Sequence, residues 1–254
     1  MLNIKERNNC WIAVITALVL IFSQQNALAA DDQAIATIVD GKAHVYTKGA
    51  KNGTPLKIND HIAKNQEVRV GEKSRVELKF PDGTIMRFAE GSFIKMEDLS
   101  FDSKTKNKKV KVDIAGGKLW ANVRKLVTAD SKVEVKTVNA VAGVRGTVYR
   151  VNVENDNSAL IKVYDGSVYV DGKQQGSAQQ QAPVGPPVEV SGPHAVPPPY
   201  HEVTMEEWHV IVKSFQQITI SPQGIASKPK DFDAKQDLDE WVKWNQERDK
   251  QLGI

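Results

Sequence analysis

The chain has 254 residues, with 34 Lys and Arg against 31 Asp and Glu, a formal net charge of +3. So small an excess creates no global field to draw the protein onto nucleic acid. The one cysteine, Cys10, lies near the start. Thiol catalysis, thiolate metal sites and disulfide redox work are thereby excluded from the rest of the chain.

Lys5 and Arg7 precede an uncharged apolar run from Trp11 to Phe22, followed by polar residues and the small-x-small pattern Ala27-Leu28-Ala29. This order reads as a secretory signal peptide. The run is shorter than the roughly 20 apolar residues of a spanning helix. Residues 1–29 are expected to be removed by cleavage between Ala29 and Ala30, with no stable membrane insertion afterwards. The expected location is the periplasm or, beyond it, the medium. Cys10 stands before the apolar run, so it is not placed as a lipoprotein cysteine and leaves with the peptide.

Residues 30–173 read as a β domain. Asp40-Gly41, Asn52-Gly53, Asp82-Gly83, Gly116-Gly117, Asp165-Gly166 and Asp171-Gly172 punctuate the stretch with pairs that tolerate positive φ. Between them, apolar and polar residues alternate: Val76, Leu78 and Phe80 against Arg75, Glu77 and Lys79, then Val110, Val112 and Ile114, then Val133 and Val135. A period of two with β-branched enrichment means strands with one buried face. The expectation is an all-β main domain of stacked hairpins, either an irregular sandwich or a short solenoid-like stack, followed by a small α-helical C-terminal tail.

Residues 174–200 are Gln-rich and then proline-dense, ending in Pro197-Pro198-Pro199-Tyr200. Proline at that density favours an extended spacer and cannot feed a sheet ladder; the other reading is a ligand for an aromatic groove. Residues 201–254 are expected to be helical. Thr204 and Glu207 have capping-box spacing, and Met205, Trp208, Ile211, Val212 and Phe215 follow at helical intervals. A second helix is expected from Asp237 to Lys250, with a stripe of Leu238, Trp241, Val242 and Leu252 and with Trp244 on its flank. Ile218 to Ile220 reads as a short strand between the two.

Six segments carry a resemblance. The stretch Val70-Gly71-Glu72-Lys73-Ser74-Arg75-Val76-Glu77-Leu78, with Asp82-Gly83-Thr84 and Gly91-Ser92-Phe93-Ile94 after it, resembles the opening of the FecR-like periplasmic domain. Gly117-Lys118-Leu119-Trp120, Val144-Arg145-Gly146-Thr147-Val148-Tyr149 and Val163-Tyr164-Asp165-Gly166-Ser167-Val168 are similar to that domain's later blocks in the same order. The resemblance spans roughly residues 66 to 171. It implies the periplasmic part of a regulator that hears from an outer-membrane transporter and signals through one membrane helix to a cytoplasmic segment that binds a sigma factor. This sequence departs from that plan: an export signal precedes the domain, and a proline-rich stretch and tail follow it.

The residues themselves read as architecture and binding. Gly83, Gly117 and Gly166 suit turns, and Gly146 suits a bulge or a close backbone approach. Arg145 is a candidate partner contact or an ion pair bracing a bend. Lys106, Lys108 and Lys109 belong to a lysine-rich stretch that reads as a basic patch or as charges guarding an edge strand. Trp208, Trp241 and Trp244 are candidate partner-binding residues or stripes docked on the chain's own β domain. Trp120, in a strand, reads as core. No histidine pair has metal-ligand spacing, and no nucleophile elbow or phosphate loop occurs. The chain is therefore expected to be a non-catalytic binding or scaffold module without cofactors, contacting an envelope protein or polymer. The alternatives are the sensing half of a split sigma-regulator system and a polysaccharide-processing enzyme.

Overall fold

The structure is a computed structural model that describes residues 32–171, 173–174 and 209–254. The expected signal peptide with its cleavage residues Ala29 and Ala30, most of the proline-rich stretch, and Thr204, Met205 and Trp208 lie outside the described residues.

Two sheets pack face to face. Sheet A begins with β4 (His61–Ala63), β1 (Gln33–Asp40), β6 (Arg75–Lys79) and β7 (Ile85–Phe88). It continues through the second half of β9 (Lys108–Asn122) to β12 (Val148–Val153), β13 (Ala159–Asp165) and β17 (Gln216–Ile220). Sheet B begins with β3 (Thr54–Pro55), β2 (Ala43–Tyr46), β5 (Glu67–Val70), β8 (Phe93–Phe101) and the first half of β9. It ends with β10 (Lys132–Lys136), β11 (Val141–Val144), β14 (Ser167–Asp171) and β16 (His209–Lys213). The short strands β15 (Lys173–Gln174), β18 (Ile225–Ala226) and β19 (Lys230–Asp231) trim the β17 side of sheet A. Pairing between long strands is antiparallel except for β9 with β10.

The alternating residues meet between the sheets as one core. Val76, Leu78, Met86, Phe88, Leu119 and Ile161 come from sheet A, and Val68, Ile94, Val112, Val135, Val168 and Val212 from sheet B. Strand β9 belongs to both sheets and bends between them at Gly116-Gly117. Gly117 has φ +90°, and a Cβ there would lie 2.5 Å from the Ser92 Cα, so only glycine lets the strand cross. A second glycine corner, Gly146 at φ +77°, turns the chain from β11 into β12, where a Cβ would lie 2.9 Å from the Lys125 Cα. The glycine turn at Gly166 carries the chain from sheet A to sheet B and is not a hairpin within one sheet. The fold is thus the irregular sandwich of the two expected forms.

One helix stands among the described residues of the tail, α1 (Glu240–Leu252). Asp239 caps it, its side chain accepting from the Val242 amide at 2.8 Å, and Gly253 closes it in the left-handed conformation. The helix expected around Thr204 to Phe215 is not formed over its described part. His209-Val210-Ile211-Val212-Lys213 is strand β16, with Val210 and Val212 buried and Ile211 exposed, and Phe215 sits in a turn at φ +63°. The β-branched alternation and an open edge on β14 outweigh the coincidental helical spacing. The sandwich therefore takes in strands from both sides of the proline-rich stretch, with Asp171 opposite His209.

Candidate functional site: a charged sheet face held by the C-terminal arm

The outer face of sheet A carries one continuous polar row. Register places Glu77 (β6) opposite Arg87 (β7), Arg87 opposite Trp120 (β9), Trp120 opposite Arg150 (β12), and Arg150 opposite Lys162 (β13). The Asp82-Gly83 turn makes the first pair, because residues five before and five after Asp82 face each other. Solvent does not reach the middle of this row: Arg87 is 0% exposed and Glu77 and Trp120 are 1% exposed. What covers them is the C-terminal arm, residues 232–252.

The arm docks through two charge clusters. In the first, Arg87 Nε donates to Glu77 Oε2 at 2.6 Å, and its Nη1 donates to Asp249 Oδ1 at 2.6 Å. The second Asp249 oxygen accepts from the Trp120 indole at 3.0 Å. Asn245 offers Arg87 its side-chain oxygen at 3.3 Å. Thr37 and Arg248 complete the shell of Glu77, at 2.7 Å and 3.3 Å. Burial alone would raise the Glu77 pKa, but hydrogen bonds from Arg87, Arg248 and Thr37 and the charge of Arg87 hold it below the usual carboxylate range.

In the second cluster Asp237 accepts from Arg150 at 2.7 Å, Lys162 at 2.9 Å and Tyr164 at 2.6 Å, while Asp239 meets Arg150 at 3.2 Å. Burial opposes ionisation of Asp237. The hydrogen bonds from Tyr164 and Lys162 and the charge of Arg150 win, and its pKa is lowered. Burial and the bond to Asp237 push the Tyr164 hydroxyl well up, so it stays a donor. Tyr164 also packs on Trp120, with ring centroids 4.7 Å apart.

The apolar contacts of the arm are few but large: Trp241 and Trp244 are half-buried, and Phe232 meets Tyr164 edge-on with ring centroids 5.5 Å apart. The helix buries Val242, Asn245 and Asp249, whereas Leu238 and Leu252 of the expected stripe remain 38% and 39% exposed. Trp241 and Trp244 stack on each other at 5.5 Å, and the Arg75 guanidinium lies 4.8 Å from the Trp244 ring. Beside the helix N-terminus a cleft of about 450 Å³ opens between Lys73, Arg75, Glu90, Lys118, Asp239 and Trp241.

The other sequence candidates are scattered. Arg145 is exposed at the Gly146 corner and forms no ion pair among the described residues; the bracing arginines are Arg87 and Arg150. Lys106 is exposed at a hairpin tip with φ +61°. Lys108 is buried, paired with Asp82 and bonded to the Arg124 carbonyl at 3.3 Å, while Lys109 points to solvent. These lysines do not form one patch, and β9, which carries Lys108 and Lys109, is a central strand and not an edge. Trp120 is buried as expected, under the arm and not between the sheets.

Sequence reasoning set Glu77 on a solvent face and passed over Arg87, Arg150, Asp237 and Asp249. The legible signal was Arg87 between Met86 and Phe88, a lone charge in a buried strand. Among the described residues no helix is long and apolar enough to cross a membrane, and no three His, Cys, Asp or Glu residues gather in metal-binding geometry.

No curated protein sequence matches the chain. Among solved structures it is similar to two crystal structures of a candidate anti-sigma factor from Parabacteroides distasonis ATCC 8503, at 19% and 18% identity with TM-scores of 0.44 and 0.43. Each alignment covers 66% of this chain, and the chain spans 61% of the length of that protein. Residues 66–169 match the model of the family described as FecR protein. That span runs from β5 to β14 and includes Glu77, Arg87, Trp120, Arg150 and Lys162, so the polar row lies in the part of the chain that matches this family model.

Proposed function

We propose that the chain is a non-catalytic binding component of a FecR-type sigma-regulator system, acting in the periplasm, with its membrane component supplied by another chain. The FecR domain is the observation that carries this reading. The charged face of sheet A supports it, because guanidinium and ammonium groups fixed on a rigid sheet suit recognition of a protein surface. Arg87, Arg150 and Lys162 are held in ion pairs with the arm and Glu77, an arrangement that positions charge for binding and leaves no free base or nucleophile among them.

Deletion of the gene tests the proposal. Transcription of a defined regulon changes on deletion and returns when the chain is supplied with its export signal. An unchanged transcriptome refutes the signalling role. Crosslinking of a tagged copy in cells then reports the contact: an envelope membrane protein is the expected capture, and recovery of wall polymer alone would return the chain to a scaffold.

A further inference from the structure

The arm is an unusual lid for a sheet. A helix that completes a sandwich normally buries an apolar stripe, whereas α1 fully buries one apolar side chain, Val242, beside Asn245 and Asp249, and leaves Trp241 and Trp244 half-buried. Beneath it lies a row of charges and one indole. The fit is also incomplete: Arg87 Nη2 and Arg150 Nε are buried without a hydrogen-bond partner among the described residues, and so is Trp241 Nε1 on the arm. Each guanidinium, 0% and 4% exposed, keeps a donor unused although buried donors ordinarily find acceptors. The arm occupies the surface without saturating it.

We propose that the polar row of sheet A recognises an acidic helical segment of a partner protein, and that the C-terminal arm is its built-in occupant, which such a segment displaces. The partner segment presents two carboxylate positions about three helical turns apart, as Asp239 and Asp249 are here, roughly 15 Å along a helix. One engages Arg150, as Asp239 does here, and the other Arg87 and Trp120, as Asp249 does. A carboxylate that takes a guanidinium in two parallel bonds uses the donor the arm leaves idle. The arm then sets a threshold: a partner binds only when it outcompetes an intramolecular segment at high effective concentration. The inference rests on the proposed binding role but fails separately from it, since it is tested on the isolated protein and the signalling role in cells.

The probe is a fluorescent peptide of residues 232–254, with a second peptide carrying D237N, D239N and D249N. Anisotropy is measured on the intact chain and on a D237N/D249N variant of it. The variant is expected to bind the acidic peptide at least tenfold more tightly than the intact chain does. The Asn-substituted peptide should bind at least tenfold more weakly, and added salt should weaken the acidic peptide. A folded variant that ignores the acidic peptide, or binds both peptides equally, overturns the proposal. Should the variant not fold, the folded intact chain is nicked at a protease site placed at exposed Lys235 and Gln236. Exchange of the nicked arm for labelled peptide supports displacement, and an arm that never exchanges overturns it.

Discussion

Replacing Asp249 by Asn tests how the arm is held. The substitution keeps the shape of the side chain but removes the charge facing Arg87 at 2.6 Å and the acceptor of the Trp120 indole at 3.0 Å. Removing one partner of a buried ion pair costs about 3–5 kcal/mol. Glu77 still faces Arg87 at 2.6 Å, which puts the loss at the lower end, about 3 kcal/mol. The chain has a way to limit that loss: the arm undocks and water solvates Arg87. The cost cannot exceed the docking free energy of the arm, so the damage stays local. Amide hydrogen exchange by mass spectrometry is the assay. Exchange in residues 240–252 should accelerate roughly a hundredfold, since 1.4 kcal/mol is tenfold. Strands β9 and β12 should keep their protection. Unchanged exchange in the helix would refute the latch, and loss of protection across both sheets would show the arm to be an inseparable part of the sandwich.

Acid should release the arm. Glu77 and Asp237 have pKa values lowered in the folded chain, by Arg87, Arg248 and Thr37 around one and by Tyr164, Lys162 and Arg150 around the other. Their contribution is therefore complete above the unfolded carboxylate values, about 4, and is lost as the pH falls through the lowered folded values. Tryptophan fluorescence followed from neutral to strongly acid pH should show the arm held until below about pH 4; an arm released at pH 6 would contradict the sign. Gly117→Ala should cost at least about 2 kcal/mol, from positive φ and the clash with Ser92, read as a lowered Tm. Lys108→Met should destabilise by about 1–3 kcal/mol by stranding Asp82, whereas Lys109→Met should stay within about 0.5 kcal/mol in a urea titration. Arg145→Ala should leave stability unchanged within about 0.5 kcal/mol, so that any lost capture of a partner in crosslinking marks a contact and not a fold defect.

Strands, turns and the terminal helix were legible because each depends on neighbours in the chain. Alternation at Val76 to Phe80, positive-φ glycines, and an Asp before a helix with Gly after it act within a few residues. The polar row was not legible in that way. Glu77, Arg87, Trp120, Arg150 and Lys162 come from five strands and meet only when four registers agree. Alternation alone assigns outward residues to water, and a covering segment from 75 to 171 positions away changes that assignment. The exchange of helix for strand at His209–Lys213 has the same origin, since five residues of ambiguous period follow whichever edge is free, and β14 offered one. Local chemistry determined the parts of this protein; long-range pairing decided which charges are buried together, because burial is a property of the assembled sheets and of no single segment.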